Sequence, residues 1–263
     1  MIIDAHAHID RYAERLKEAI EQINTHHIST LAVSMDIPSY LKTIEIARMS
    51  PYINPTFGIH PWEAGRYYNN LEVMDQYLMQ TPLIGEAGLD FHFIEDTDQY
   101  PRQRTVFEYQ CEWAKRLGKP MNLHTKGAEE EVLSTLRNFN IKSSIIHWYS
   151  GPKKLIESYL SAGSYFTVGV AVLTSPEIQE ITEIIPNDRL LLETDNPDGY
   201  QWITKSIGMP TLIYDVLAKV AQLKNINSMD LKRVLANNWG KISKEVNCSA
   251  HREGQFTIQS VIQ

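Results

Sequence analysis

The sequence predicts an α/β protein built as a single (β/α)8 barrel with extra helices at its C-terminal end. Three observations carry this expectation. Short apolar runs of strand character alternate eight times with segments of helical periodicity between Met1 and Asp195. The connections are short, and no Pro-, Gly- or Ser-rich linker, low-complexity block or close repeat divides the chain. The 263 residues suit one barrel, which averages about 250 residues, and 43% hydrophobic residues suffice for a full core.

The first strand runs from Met1 to His8. Residues 11–26 follow as a helix, with Leu16, Ala19, Ile20 and Ile23 at helical spacing. Thr30–Ser34 is the second strand, residues 39–49 the next helix, and Asn54–His60 the third strand. A helix over 69–80 repeats through Leu71, Met74 and Leu78, and Leu83–Glu86 is strand four. The long segment 99–118 places Val106, Phe107, Cys111, Ala114 and Leu117 on one side, and Gly118 and Pro120 end it. Pro120–His124 is strand five, 127–139 a helix, Ser143–His147 strand six and 152–162 a helix stopped by Gly163. Ser164–Val168 is strand seven, 176–184 a helix and Arg189–Asp195 strand eight. Two helices over 210–225 and 228–246 complete a barrel domain of residues 1–246. Residues 247–263 form a polar tail with one alternating run, Phe256–Ile262, which stays unassigned.

Metal-binding side chains recur at the strand ends. Asp4, His6 and His8 share one face of the first strand, because alternate side chains point the same way. Glu86, His124, His147 and Asp195 close strands four, five, six and eight. Catalytic groups of such barrels sit at the C-terminal ends of the strands, and all six candidate ligands (His6, His8, Glu86, His124, His147 and Asp195) fall there. Four imidazoles and two carboxylates suit Zn, Mn or Ni, with Mg possible. The set is large enough for two ions where one carboxylate bridges.

The net charge of −7 argues against a tight, non-specific nucleic-acid binder. An enzyme that handles nucleic acid transiently is still allowed, since bound divalent ions make a pocket locally positive. Two cysteines, Cys111 and Cys248, give no disulfide framework, and Cys111 belongs to the buried side of its helix. No secretory leader is read at the N-terminus, and no apolar run approaches the ~20 residues of a membrane span. The expectation is a cytoplasmic protein in a reducing compartment, with a monomer favoured.

Taken in order and spacing, the motifs resemble the TatD family of metal-dependent hydrolases, TIM barrels of the amidohydrolase-like group. The matching stretches are Asp4-Ala5-His6-Ala7-His8, Gly58-Ile59-His60-Pro61, Ile84 to Asp90, Leu123-His124, His147 to Gly151 and Glu193 to Pro197, with Ala236-Asn237-Asn238-Trp239 similar to the family's closing Asn motif. The resemblance implies that His6, His8 and Asp195 hold one ion, that Glu86 bridges, and that His124 and His147 complete a second. It implies a deoxyribonuclease acting on single-stranded DNA or 3′ ends. The rim departs from the pattern. Lys126 stands where the family has Arg, offering phosphate a point charge without a planar fork. Trp62 replaces a second His, Asp198 follows Asn196-Pro197, and Ser206 to Pro210 replaces basic residues before the last helices.

The expected mechanism uses two divalent ions (Mg, Mn or Zn) to activate water and clamp a phosphodiester. Asp195 is either a ligand alone or also the proton acceptor, with Glu86 the second catalytic residue. Asp4 and Glu193 either orient the imidazoles or form a buried ion pair. His60, Lys126 and Trp62 are the candidate substrate contacts, against packing or solvated roles, and Phe91 is a further candidate for base stacking. His26, His27, His92 and His251 are set aside, as are Arg102, Arg104, Lys115, Lys153 and Lys154, read mainly as solvated charge. Two other readings stand beside a DNA phosphodiesterase. One keeps the metals and cleaves an amide, acyl or lactone bond; the other is a non-catalytic subunit. Bridging through Glu86 favours the TatD-like reading over relatives that bridge with a carbamylated Lys, and six buried polar groups at one mouth speak against a role without chemistry.

Overall fold

The computed structural model describes residues 2–250, with side-chain surroundings through residue 244. Cys248, His251 and the whole tail over 247–263 therefore lie outside the described side chains, and its alternating run Phe256–Ile262 lies outside the described residues. In chain order the elements are β1 Ile2–Ala7, α1 Leu16–His26, β2 Ile28–Val33, α2 Ile37–Ala47, β3 Ile53–Thr56, α3 Ala64–Tyr67, α4 Asp75–Gln80, β4 Ile84–Gly88, α5 Tyr100–Leu117, β5 Met121–His124, α6 Glu129–Phe139, β6 Ser144–Ile146, α7 Ile156–Ser161, β7 Ser164–Val168, α8 Pro176–Ile184, β8 Leu190–Leu192, α9 Asp198–Thr204, α10 Ile213–Leu223 and α11 Ser228–Ala250.

All strand pairs are parallel, in the orders β1-β2-β3 and β4-β5-β6-β7-β8. Hydrogen bonds join the two sheets along both seams. At one, Gly85 N donates to Phe57 O at 2.9 Å and Thr56 Oγ1 to Gly85 O at 2.9 Å. At the other, Asp195 N donates to His6 O at 2.9 Å and His8 N to Asn196 O at 2.8 Å. The barrel closes on β1 and β8, the two strands that lead into His8 and Asp195.

Local chemistry explains where elements begin and end. Asp36 caps α2 by accepting from Ser39 N, while Ser39 Oγ takes Asp36 N–H at 2.9 Å. His27 and Gly118 end α1 and α5 in the left-handed conformation, φ 50° and 65°. In α11, Asn238 Nδ2 donates to Asn187 O and Leu190 O at 2.8 and 2.9 Å, fastening the helix to β8, and Trp239 and Ile242 pack with Ile3, Leu31 and Leu191. Among the described residues no helix is long and apolar enough to cross a membrane.

Several expectations need correction. Strand eight ends at Leu192 instead of Asp195, and the segment 69–80 is a 3-10 turn at Leu71–Met74 followed by α4. The third strand stops at Thr56 instead of His60, because the following backbone groups find partners elsewhere. Phe57 N–H goes to Thr81 Oγ1, and both Ile59 backbone groups pair with the Gln110 side chain of α5 at 2.8 and 3.1 Å. Residues 11–26 are not one helix: 3-10 turns at Ile9–Arg11 and Ala13–Arg15 precede α1. Helices α3 and α9 were not expected; α9 follows β8, with Gly199 N donating to Asp195 O at 2.6 Å.

A histidine and carboxylate centre at the barrel mouth

All six expected ligands meet in one cavity of about 170 Å³, or directly beneath it. Glu86 is the hub. Its Oε2 faces one group, 3.5 Å from His6 Nε2 and 3.3 Å from His8 Nε2. Its Oε1 faces another, 3.1 Å from His124 Nδ1 and 3.3 Å from His147 Nε2. Asp195 Oδ1 completes the first group, 3.6 Å from His6 Nε2 and 3.5 Å from His8 Nε2. One carboxylate thus turns an oxygen to each of two donor clusters.

Three of these imidazoles are fixed from behind. His6 Nδ1 meets Asn122 Oδ1 at 2.8 Å, His124 Nε2 meets Asp90 Oδ2 at 2.8 Å, and His147 Nδ1 meets Glu193 Oε2 at 3.4 Å. A partner on the far nitrogen sets the tautomer and aims the other lone pair inward. Glu193 thus orients an imidazole, as one of its two readings expected. Asp4 follows neither of its readings. Its oxygens accept from Thr194 N at 2.9 Å and Thr194 Oγ1 at 2.6 Å, so it anchors the segment that presents Asp195.

Asn122 and Asp90 were not singled out from the sequence as imidazole partners. Asn122 lies two residues before His124 and shares its face of β5, a spacing that strand alternation makes readable. Asp90 lies past the end of β4, held by buried Gln103 of α5 at both backbone groups, 2.8 and 3.0 Å. Gln103 and Gln110 are seven residues apart on one helix face, and each pins a loop that carries site residues.

His60 joins the cluster as a donor. Its Nδ1 accepts Trp62 N–H at 3.2 Å, which leaves the proton of the neutral ring on Nε2. That Nε2–H points at Glu86 Oε1, 3.4 Å away, and at His124 Nδ1, 3.3 Å away. Burial keeps the ring neutral, lowering it to about 4. His60, Glu86 and His124 are close enough to surround an ion, but this tautomer makes His60 a hydrogen-bond donor and leaves ligation to the other two.

The electrostatics favour a cation. Asp4, Glu86, Asp90 and Glu193 are each no more than 1% exposed, and burying so many carboxylates requires compensating positive charge. Burial pulls the His6 imidazole down, yet Glu86, Asp195 and Glu193 overcome it and lift it to about 10. Burial raises Asp4 and Glu193 to about 7. Burial also disfavours charge on Glu86, but His60, His6 and His147 hold it well below the usual range. His6 Nε2 and Glu86 Oε2 are buried and have no hydrogen-bond partner. Orphaned donors aimed into one space, in a field that draws positive charge, fit divalent ions; the sets His6–His8–Asp195 and His6–Glu86–His147 each bring ligand atoms within 4.8 Å of one another.

The expected substrate contacts line the same cavity. Lys126 Nζ donates to Trp148 O at 2.8 Å and Ser150 Oγ at 2.6 Å, both neutral acceptors. Its charge is therefore positioned without being cancelled by these partners. Trp62 forms part of the wall, its Nε1–H on Asp90 Oδ2 at 2.7 Å. Phe91 does not: it stacks on Tyr100 at 4.1 Å beneath the Arg104 guanidinium. Phe93 and Trp202, which drew no attention in the sequence, line the cavity instead. Asp198 stands at the mouth as expected, 2.8 Å from Arg11 Nε. Among the discounted cations, Arg104 pairs with Glu131, Lys153 with Glu180 and Lys154 with Glu130.

Replacing Lys126 with Ala is expected to raise KM for an anionic substrate about tenfold or more, the worth of a hydrogen bond to a charged group. Metal content, measured by elemental analysis, should change little. An unaltered KM would remove Lys126 from substrate binding.

Comparison with known proteins agrees with this geometry. The chain is 26% identical over 258 residues to an uncharacterized metal-dependent hydrolase of Bacillus subtilis, YabD, covering 90% of this chain and 97% of that one. It is 24% identical over 215 residues to human deoxyribonuclease TATDN3, covering 74% and 78%. The crystal structure of YJJV, a TatD homologue from Escherichia coli, superposes with a TM-score of 0.83 at 21% identity, covering 92% of this chain and 97% of that one, and supports the same barrel fold. The family model described as TatD related DNase matches residues 3–244, nearly the whole described chain, so this protein belongs to the TatD-related DNase family.

Proposed function

We propose that the chain is a deoxyribonuclease that hydrolyses phosphodiester bonds of single-stranded DNA or of DNA ends with two divalent ions. The observation that carries the reading is Glu86, whose two oxygens face separate histidine clusters. His6, His8, Asp195 and Glu86 would hold one ion, and Glu86, His124 and His147 the other. When bound, such ions neutralise a phosphodiester and lower the pKa of water.

The chain's own residues do the rest. Lys126 gives a non-bridging phosphate oxygen a fixed ammonium, and His60 keeps its Nε2–H on the Glu86 side of the cavity. Asp195 has a side chain 19% exposed, against 1% for Glu86, so it is the ligand carboxylate placed to take a proton from water and release it to solvent. Human TATDN3 is named a deoxyribonuclease, which supports the choice of DNA.

The test pairs elemental analysis with a gel assay on end-labelled single-stranded DNA in Mg, Mn or Zn, with and without chelator. The expected result is two bound ions and shortening that stops on chelation and returns with metal. Two ions without cleavage would overturn the DNA reading and direct the search to amide and ester substrates.

A further inference from the structure

One wall of the cavity is apolar and plays no part in holding ions. Three loops build it: Trp62 comes from the turn after β3, Phe93 from the loop after β4, and Trp202 from α9 after β8. Trp62 and Trp202 lie nearly parallel, with centroids 6.3 Å apart and 12° between planes. Phe93 meets both edge-on, at 6.1 and 5.4 Å. Trp202 stays 55% exposed and Phe93 43%. Tryptophan is mostly buried in folded proteins, and flat apolar surface rimming a polar cavity marks a place that receives a ligand.

The other side of the same cavity carries the carboxylates, imidazoles, Lys126 and Arg11. A ligand that satisfies both sides has an anionic group and, next to it, a planar ring. We propose that Trp62, Phe93 and Trp202 form a stacking subsite for the nucleobase adjoining the scissile phosphate, with Trp202 its main determinant. This rests on the reading of the centre as a DNA phosphodiesterase and adds the part of the substrate that the aromatic wall selects. Every base offers a π face, so recognition here is tolerant of sequence. The subsite is also tied to the chemistry. Asp90 Oδ2 accepts from Trp62 Nε1 at 2.7 Å and faces His124 Nε2 at 2.8 Å. A single carboxylate therefore sets both the stacking wall and an imidazole of the centre.

The experiment compares wild type, Trp202→Ala and Trp202→Phe. Calorimetry in magnesium buffer measures affinity for thymidine 5′-monophosphate and for ribose 5-phosphate, which lacks a base. KM is measured on single-stranded oligonucleotides with a normal or an abasic terminal residue. In Trp202→Ala, the preference for base-bearing over base-less ligand should fall at least about fivefold, the lower end of a base-stacking contact. Trp202→Phe should restore most of it. An unchanged preference, or equal losses for both ligands, overturns the subsite. If wild type fails to cleave DNA while the base preference is present and lost in Trp202→Ala, the subsite stands and the nuclease reading falls. If cleavage proceeds and the preference ignores Trp202, the subsite falls alone.

Discussion

Replacing Glu86 with Ala is expected to remove two-ion binding and lower kcat/KM by about a thousandfold or more, while the barrel still folds. The size follows from what such ions supply, several kcal/mol of transition-state stabilisation, at about 1.4 kcal/mol per tenfold in rate. The direction follows from geometry. Glu86 Oε2 serves His6 and His8, and Oε1 serves His124 and His147, so this one carboxylate turns an oxygen to each cluster. Folding should survive because the pairing of β4 with β5 runs through backbone groups, which the substitution leaves in place. Glu86→Gln separates charge from volume: the amide fills the same space but cannot neutralise two cations. Both variants should bind at most one ion by elemental analysis, with far-UV circular dichroism like that of wild type. Two ions retained in Glu86→Gln would end the bridging assignment.

The convergence of the candidate ligands was legible in the sequence because strand geometry makes it so. Side chains alternate along a strand, so His6 and His8 had to face one way, and the barrel rule placed Glu86, His124, His147 and Asp195 at the same mouth. What holds those ligands was less legible. The role of Asn122 could have been read from its spacing to His124. Asp4, by contrast, bonds to Thr194, 190 positions away, and only closure of β1 against β8 creates that pair. The His60 tautomer depends on one backbone N–H, that of Trp62, which no pattern of residue types specifies. Of the two aromatic candidates Trp62 lines the cavity and Phe91 does not, for a related reason. Phe91 and Phe93 sit two apart in an irregular loop, where no alternation rule holds, and the Asp90 turn decides which one reaches the cavity. Trp202 rides on α9, a short helix whose place is set by contacts of the β8 loop rather than by its own periodicity.

Asp195→Asn is expected to lower kcat by about a hundred- to ten-thousandfold, the range of a lost general base, and to weaken the first ion as well. The two losses can be told apart. Asn keeps an oxygen that can ligate weakly, so raising the metal concentration should refill the site; it has no basic carboxylate, so the rate should stay low when both ions are bound. Exposure is what singles out this acid. Asp4, Glu86, Asp90 and Glu193 are at most 1% exposed, so a proton taken by any of them has no direct route to solvent, whereas the Asp195 side chain is 19% exposed and lines the cavity. Its backbone is committed to this placement. It adopts φ 50°, a left-handed conformation that Asp tolerates better than most residues. Its N–H is bound to His6 O at 2.9 Å and its carbonyl to Gly199 N at 2.6 Å. The deciding measurement is single-turnover cleavage by Asp195→Asn at saturating metal, with ion stoichiometry determined on the same sample. Two ions with a rate still depressed at least a hundredfold assign Asp195 the proton as well as the metal; recovery to within tenfold of wild type leaves it a ligand alone.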